Sequence, residues 1–94
     1  MRIEFTGTVF VWRGPAPFFF VAVPDAESEE VRAIAAAVTY GWGMIPVRAQ
    51  VGATTWKTAL FPKDARYLVP LKDAVRKAER LAEGGEVKVT LEVW

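Results

Sequence analysis

The sequence predicts a mainly β protein of the α+β class, a small closed antiparallel β-barrel of about six strands with two short helices. Three observations carry this prediction. Segments in which apolar residues recur at every second position run along most of the chain. Neighbouring segments are mostly joined by short turns, where parallel strands would need crossover helices. The first and last segments reach the chain ends, and pairing them with each other would close the sheet and hide its edges. At 94 residues, the chain is read as one domain, 1–94, with one modest core.

The first strand runs from Arg2 to Trp12, where Ile3, Phe5, Val9 and Val11 alternate with Arg2, Glu4, Thr6 and Thr8. Gly7 is expected to mark a bulge in it. A turn at Arg13-Gly14-Pro15-Ala16-Pro17 leads to Phe18-Phe19-Phe20-Val21-Ala22-Val23, which is apolar on both faces and is expected deep in the sheet. Pro24-Asp25 then opens a helix. Asp25 or Ser28 can cap it, Glu27, Glu29 and Glu30 suit its positive end, and Val31, Ile34, Ala35 and Val38 share one face.

Thr39 to Gly43 ends that helix, and Ile45, Val47, Ala49 and Val51 form a third strand. Gly52-Ala53 joins it in a hairpin to Thr54–Leu60, with Trp56, Thr58 and Leu60 on one face. Phe61 to Asp64 is expected to turn the chain into a short strand around Arg66 to Val69. Pro70 would sit in the first turn of a second helix, whose apolar stripe is Leu71, Ala74, Val75, Ala78, Leu81 and Ala82. Gly84-Gly85 is expected to stop it, and Val87, Val89, Leu91 and Val93 mark the last strand.

Composition narrows function mostly by exclusion. With no histidine and no cysteine, the chain lacks Ser-His-Asp and Cys-His chemistry, disulfides, and zinc sites built on those ligands. The absence of cysteine fits a protein of a reducing cytoplasm. No apolar run approaches the roughly 18 residues of a membrane span, so no membrane partner is expected. Twelve bases against eleven acids leave a net charge of +1, too little to draw the whole molecule to nucleic acid.

One set of motifs is more specific. Val47-Arg48-Ala49-Gln50-Val51-Gly52, Trp56-Lys57-Thr58-Ala59-Leu60-Phe61-Pro62, Tyr67-Leu68-Val69-Pro70-Leu71, Ala74-Val75-Arg76-Lys77-Ala78 and Gly84-Gly85-Glu86-Val87-Lys88-Val89 occur in that order. The chain thereby resembles the family called domain of unknown function 1905. Its members show a V-K-G-T-I-x-G strand and turn, a strand ending T-S-L-x-P, a Y-x-L-P-V step into a helix with A-L-R-K-A, and a G-D-x-V-x-V strand. The resemblance implies a double-split barrel, sometimes encoded beside or fused to a helical OmpD-associated segment, and no established activity. Three positions depart from the pattern: Ala49 stands where a glycine is usual, Lys63 to Ala65 replace a glycine-rich turn, and Glu92-Val93-Trp94 stand where members tend to carry an aspartate.

Candidate chemistry follows from what remains. Glu27, Glu29 and Glu30 read as helix-start acids, and Asp25 to Glu29 lacks the spacing of a calcium loop, so neither a metal nor a cofactor is expected. Arg48, Lys57 and Arg66 fall on predicted strands and, with Trp56 and Arg76, form the candidate rim of a pocket for an anionic small ligand or a protein segment. Nine of the bases follow residue 44, and Lys72, Arg76, Lys77 and Arg80 at helical spacing make the alternative, a nucleic-acid-binding stripe. Such a stripe would suit the double-split barrels that bind DNA. Trp12, Trp42 and Tyr40 are further aromatic candidates, with Trp42 the one expected at the surface. A non-catalytic binding domain, monomer or homodimer, is the reading these residues favour, with a lysine- or carboxylate-dependent enzyme as the third alternative.

Overall fold

In the computed structural model the chain is described over residues 1–15, 18–38 and 44–93, the side chains of 35–38 excepted. The elements are β1 (Arg2–Trp12), β2 (Phe18–Ala22), α1 (Asp25–Val38), β3 (Ile45–Val51), β4 (Thr54–Lys63), β5 (Arg66–Leu71), α2 (Asp73–Glu79) and β6 (Glu86–Val93). The strands close into an antiparallel barrel in the order β1-β2-β5-β4-β3-β6. The predicted pairing of first and last strands is present, with Ile3 opposite Leu91 and Phe5 opposite Val89.

Two long strands are shared between two half-barrels. β1 pairs with β6 from Arg2 to Thr8 and with β2 from Val9 to Trp12. β4 pairs with β3 up to Leu60 and with β5 from Phe61. The inward residues of both halves, among them Val9, Val21, Ile45, Val47, Leu60, Val69, Val89 and Leu91, form one continuous core. α1 packs on β3 and β5, and α2 packs on β4.

Gly7 does not mark a bulge. It stays in register opposite Val87, and a Cβ there would stand 2.6 Å from Val21 Cγ1 and 3.1 Å from the Ala22 carbonyl oxygen. The glycine is needed because β2 crosses close over β1 as β1 passes from one half-barrel to the other.

The chain does not turn at Phe61–Asp64 either. β4 continues through Pro62 to Lys63, and the turn is Asp64-Ala65, with both residues at positive φ (51° and 65°). A two-residue hairpin with two positive φ values favours glycine at its second position, and Ala65 is strained there. Ala65→Gly is expected to raise stability by about 0.5–1 kcal/mol, the relief of strain being partly offset by unfolded-chain entropy. Urea denaturation measures this, and an unchanged or lowered midpoint would contradict the strain.

Pro70 lies in β5 opposite Phe20, not in a helix. α2 ends at Glu79 with Arg80 in the left-handed conformation (φ 54°), and the Leu81 N–H donates to the Arg76 carbonyl at 2.9 Å. The helix is therefore shorter than its apolar stripe predicted and stops before Gly84-Gly85. Glu79 ties its end to the β3–β4 hairpin. It accepts a hydrogen bond from the Thr54 hydroxyl at 2.6 Å, and its carboxylate occupies the space a Cβ on Gly52 (φ 57°) would need.

Ser28 is buried and does not serve as a helix cap. Its hydroxyl donates to the Val23 carbonyl at 3.0 Å and accepts from the Tyr67 N–H at 3.4 Å, joining the start of α1 to β5. The expectations for Ala16, Pro17, Thr39 to Gly43 and Trp94, and for the side chains of Ala35 and Val38, lie outside the described residues.

Candidate functional site: an aromatic outer face

The two half-barrels differ in what they show to solvent. On the β6-β3 side the outer face is a polar row in which Arg2 stands opposite Glu92, Glu92 opposite Arg48, and Arg48 opposite Lys57. The opposite charges of Arg2 and Glu92 and of Glu92 and Arg48 support the sheet and need no ligand, while Arg48 and Lys57 set two like charges side by side. On the β2-β5 side the outer face is apolar. Phe10 lies opposite Phe20, Trp12 opposite Phe18, Phe20 opposite Pro70, Ala22 opposite Leu68, and Leu68 opposite Phe61.

Those aromatic rings form a connected spine. Centroids are 6.5 Å apart from Trp12 to Phe18, 6.3 Å from Phe18 to Phe20 and 6.1 Å from Phe20 to Phe61, with Phe10 stacked 5.8 Å from Phe20. Phe20 is only 9% exposed, yet it stands apart from the barrel core and is buried by the other rings. Trp12, Phe18 and Phe61 remain 55%, 51% and 39% exposed. An open hollow of about 1170 Å³ follows the spine, and among the described residues its charged and hydroxyl side chains, Thr58, Lys63, Asp64 and Arg66, come from β4, β5 and the turn between them. Large contiguous apolar surface of this kind marks interaction sites on soluble domains.

The sequence reading placed Phe18 to Phe20 deep in the sheet, and the structure corrects it. Phe19 faces inward and Phe18 outward, as alternation requires, and no described element covers the outer side. A signal was present in β1, where Phe10 and Trp12 occupy the face that Arg2, Glu4, Thr6 and Thr8 make polar. That change of character falls where β1 exchanges β6 for β2.

The residues predicted to form one rim are dispersed. Arg48 and Lys57 lie on the polar outer face of the other half-barrel. Trp56 is in the core, opposite Ala49, and its indole N–H finds no acceptor among the described residues. Arg66 reaches the hollow but is paired with Asp25 at 2.8 Å. It and Arg32, which donates to the Ala65 carbonyl, strap the β4–β5 turn to α1.

Arg76 is half-buried on α2, its guanidinium 3.6 Å above the Phe19 ring and bonded to Asp73 at 2.9 Å. The members of the predicted phosphate stripe do not all lie on one helix. Lys72 precedes the helix, Arg80 follows it in a left-handed turn, and Arg76 is held down on Phe19, leaving Lys77 as the exposed helical member.

The Arg76 guanidinium holds the Asp73 carboxyl below the ordinary aspartate value, first through the hydrogen bond and then through its charge. A depressed folded-state value means the pair contributes to stability above the unfolded aspartate value, a contribution lost as pH falls through the folded value. Carboxyl NMR titration should place the Asp73 midpoint below that of an unfolded aspartate, and Arg76→Ala should return it. A midpoint already at the ordinary value in the wild type would mean that the pair does not form in solution.

The match to known families comes from the sequence that builds this barrel. The model of a domain of unknown function, DUF1905, matches residues 5–91. The chain belongs to the DUF1905 family. The match includes both helices, four whole strands and most of β1 and β6, so the resemblance carried by the C-terminal motifs extends to the N-terminal half. No curated protein matches the chain. The DUF1905 description assigns no activity. Among the described residues, no three histidine, cysteine, aspartate or glutamate side chains gather closely enough to hold a metal ion, and no helix is long and apolar enough to cross a membrane.

Proposed function

We propose that this DUF1905 domain is a non-catalytic binding module of the cytoplasm that docks an apolar protein segment on the outer face of β1, β2, β5 and β4. The observation that carries this reading is the exposed aromatic spine of Trp12, Phe18 and Phe61 over the recessed Phe20. Trp12, Phe18 and Phe61 keep much of their ring surface in water, and covering it would release the water held against them.

Size argues for a segment over a small ligand or a second copy. An enclosed small-molecule pocket measures about 300–1,000 Å³ and surrounds its ligand, whereas this hollow is open and larger, about 1170 Å³. Four strands at about 4.8 Å and five residues at about 3.3 Å give a face of roughly 300 Å². A stable protein–protein interface buries about 800 Å² per partner, so this face alone is too small for a lasting dimer. An anionic ligand is less well served, since Arg48, Lys57 and Arg76 lie away from the hollow, Arg66 is paired with Asp25, and Lys63 stands beside the acidic Asp64.

The hydrophobic dye 8-anilinonaphthalene-1-sulfonate provides a direct test on the native protein. Trp12→Ala and Phe61→Ala should each weaken saturable dye binding about tenfold while changing the urea midpoint little, because both side chains are already exposed. Unaltered dye binding in both variants, or no binding by the wild type, would overturn the proposal.

A further inference from the structure

We infer that the barrel is two equivalent ββαβ units interlocked through their strands, and that the surface by which one unit completes the other fits the opposite unit of a second copy of this chain. The units are β1-β2-α1-β3 and β4-β5-α2-β6. Exchanging β1 for β4, β2 for β5 and β3 for β6 leaves every neighbour in the ring β1-β2-β5-β4-β3-β6 unchanged. The ladders follow the same two-fold. β1 pairs first with β6 and then with β2, as β4 pairs first with β3 and then with β5. β2 with β5, and β3 with β6, pair across the axis.

The places where strands part are equivalent too. Carried on in register, Pro24 would face Thr6 and Pro70 would face Ala59. A proline has no N–H with which to extend a ladder, so neither β1–β2 nor β4–β5 runs past its proline. A helix begins shortly after each, α1 at Asp25 and α2 at Asp73.

Neither unit closes by itself. Among the described strands, β3 pairs only with β4 and β6, both from the second unit, and β6 only with β1 and β3, both from the first. What remains inside each unit is one hairpin, β1–β2 or β4–β5, and a lone two-stranded hairpin is marginally stable in water. The core is divided in the same way: Val9, Val21 and Val47 come from one unit, and Leu60, Val69 and Leu91 from the other. Folding and association of the units are therefore one event.

Within one chain the units are joined at the Gly52-Ala53 turn. Gly52 takes a positive φ of 57°, and the Glu79 carboxylate fills the space of its missing Cβ while accepting a hydrogen bond from the Thr54 hydroxyl at 2.6 Å. If these two residues run straight on instead of turning, β3 and β4 separate, and each unit finds its complement in a second copy. Every ladder and the whole core re-form in the two barrels of such an exchanged dimer, and the turn alone differs. Closure within one chain wins at low concentration, because the short join holds the units at a high effective concentration. Strain at the turn shifts the balance towards exchange.

The test uses the full chain, refolded from urea at high protein concentration and read by native mass spectrometry and ¹⁵N correlation spectra. Gly52→Val is opposed in the turn by both the positive φ and the Glu79 carboxylate. It should raise the dimer fraction about tenfold or more over wild type, with the Trp56 indole and the core amides keeping their wild-type shifts. A folded Gly52→Val protein as monomeric as the wild type would overturn the inference. So would a dimer that adding Trp12→Ala dissolves, since that one is built on the aromatic face. Should Gly52→Val not fold, a mixture of two other variants decides. Val9→Asp cripples the first unit and Leu60→Asp the second, both side chains being buried. Neither chain should fold alone, and refolded together they should give a dimer of one chain of each kind holding one folded barrel. A mixture that stays unfolded overturns the exchange.

Discussion

Trp56→Ala is expected to cost about 3–5 kcal/mol of folding stability, the range for truncating a buried tryptophan. A domain of this size has roughly 5–14 kcal/mol in all, so the variant should unfold at lower urea, with a midpoint reduced by about a fifth or more. The cause is positional. Trp56 points into the barrel opposite Ala49, whose small side chain leaves room for the indole.

Trp56→Phe separates packing from polarity. It keeps most of the ring and removes an indole N–H that has no acceptor among the described residues, a burial worth about 1–3 kcal/mol against folding. That variant should stay within about 1 kcal/mol of wild type, loss of volume and loss of the orphan donor offsetting each other. If Trp56→Ala left the urea midpoint in place, the side chain would have to be assigned to a surface or a ligand site.

Gly7→Val should be the most damaging change that adds atoms, at about 1–3 kcal/mol or more. Its Cβ alone would sit 2.6 Å from Val21 Cγ1 and 3.1 Å from the Ala22 carbonyl oxygen. The side chain of Val21 has nowhere to retreat, because it is fully buried. Relief would require β2 to lift from β1, opening the barrel where the two half-barrels meet. Gly7→Ala should show a smaller effect of the same sign. A Gly7→Val protein as stable as wild type would mean that the close approach is absent in solution, as it would be if Gly7 sat in a bulge.

These variants contrast with Trp12→Ala and Phe61→Ala, where aromatic rings are also lost but at little expected cost to folding. Trp12 and Trp56 are both on strands, and the parity of their neighbours tells their fates apart. Trp12 belongs to the parity class of Arg2, Glu4, Thr6 and Thr8, and that pattern could have identified it as outward-facing. Trp56 shares parity with Leu60 and Thr58, and that pattern does place it inward. Reading Trp56 as part of a rim set aside a signal that was legible.

The basic residues were less legible. Lys72, Arg76 and Arg80 have helical spacing only if the helix spans them all, and the stripe was drawn on that assumption. Local propensity does not decide where a short helix stops. Here it ends at Glu79, where the side chain meets Thr54 and Gly52 from a hairpin distant in sequence. The remaining apolar positions, Leu81 and Ala82, follow it as non-helical chain leading back to β6.

By itself, the sequence determined the strand parities, the Gly52-Ala53 hairpin, the closure of first strand on last, and membership of DUF1905. Each rests on a local pattern or on an ordered set of motifs. Only the tertiary structure decided where β1 and β4 change partners, and with that which aromatic rings are left uncovered. Alternation states that two faces differ, but burial of a face depends on whether another element lies over it. For Phe10, Trp12, Phe18, Phe20 and Phe61, no described element does, and they cover one another instead.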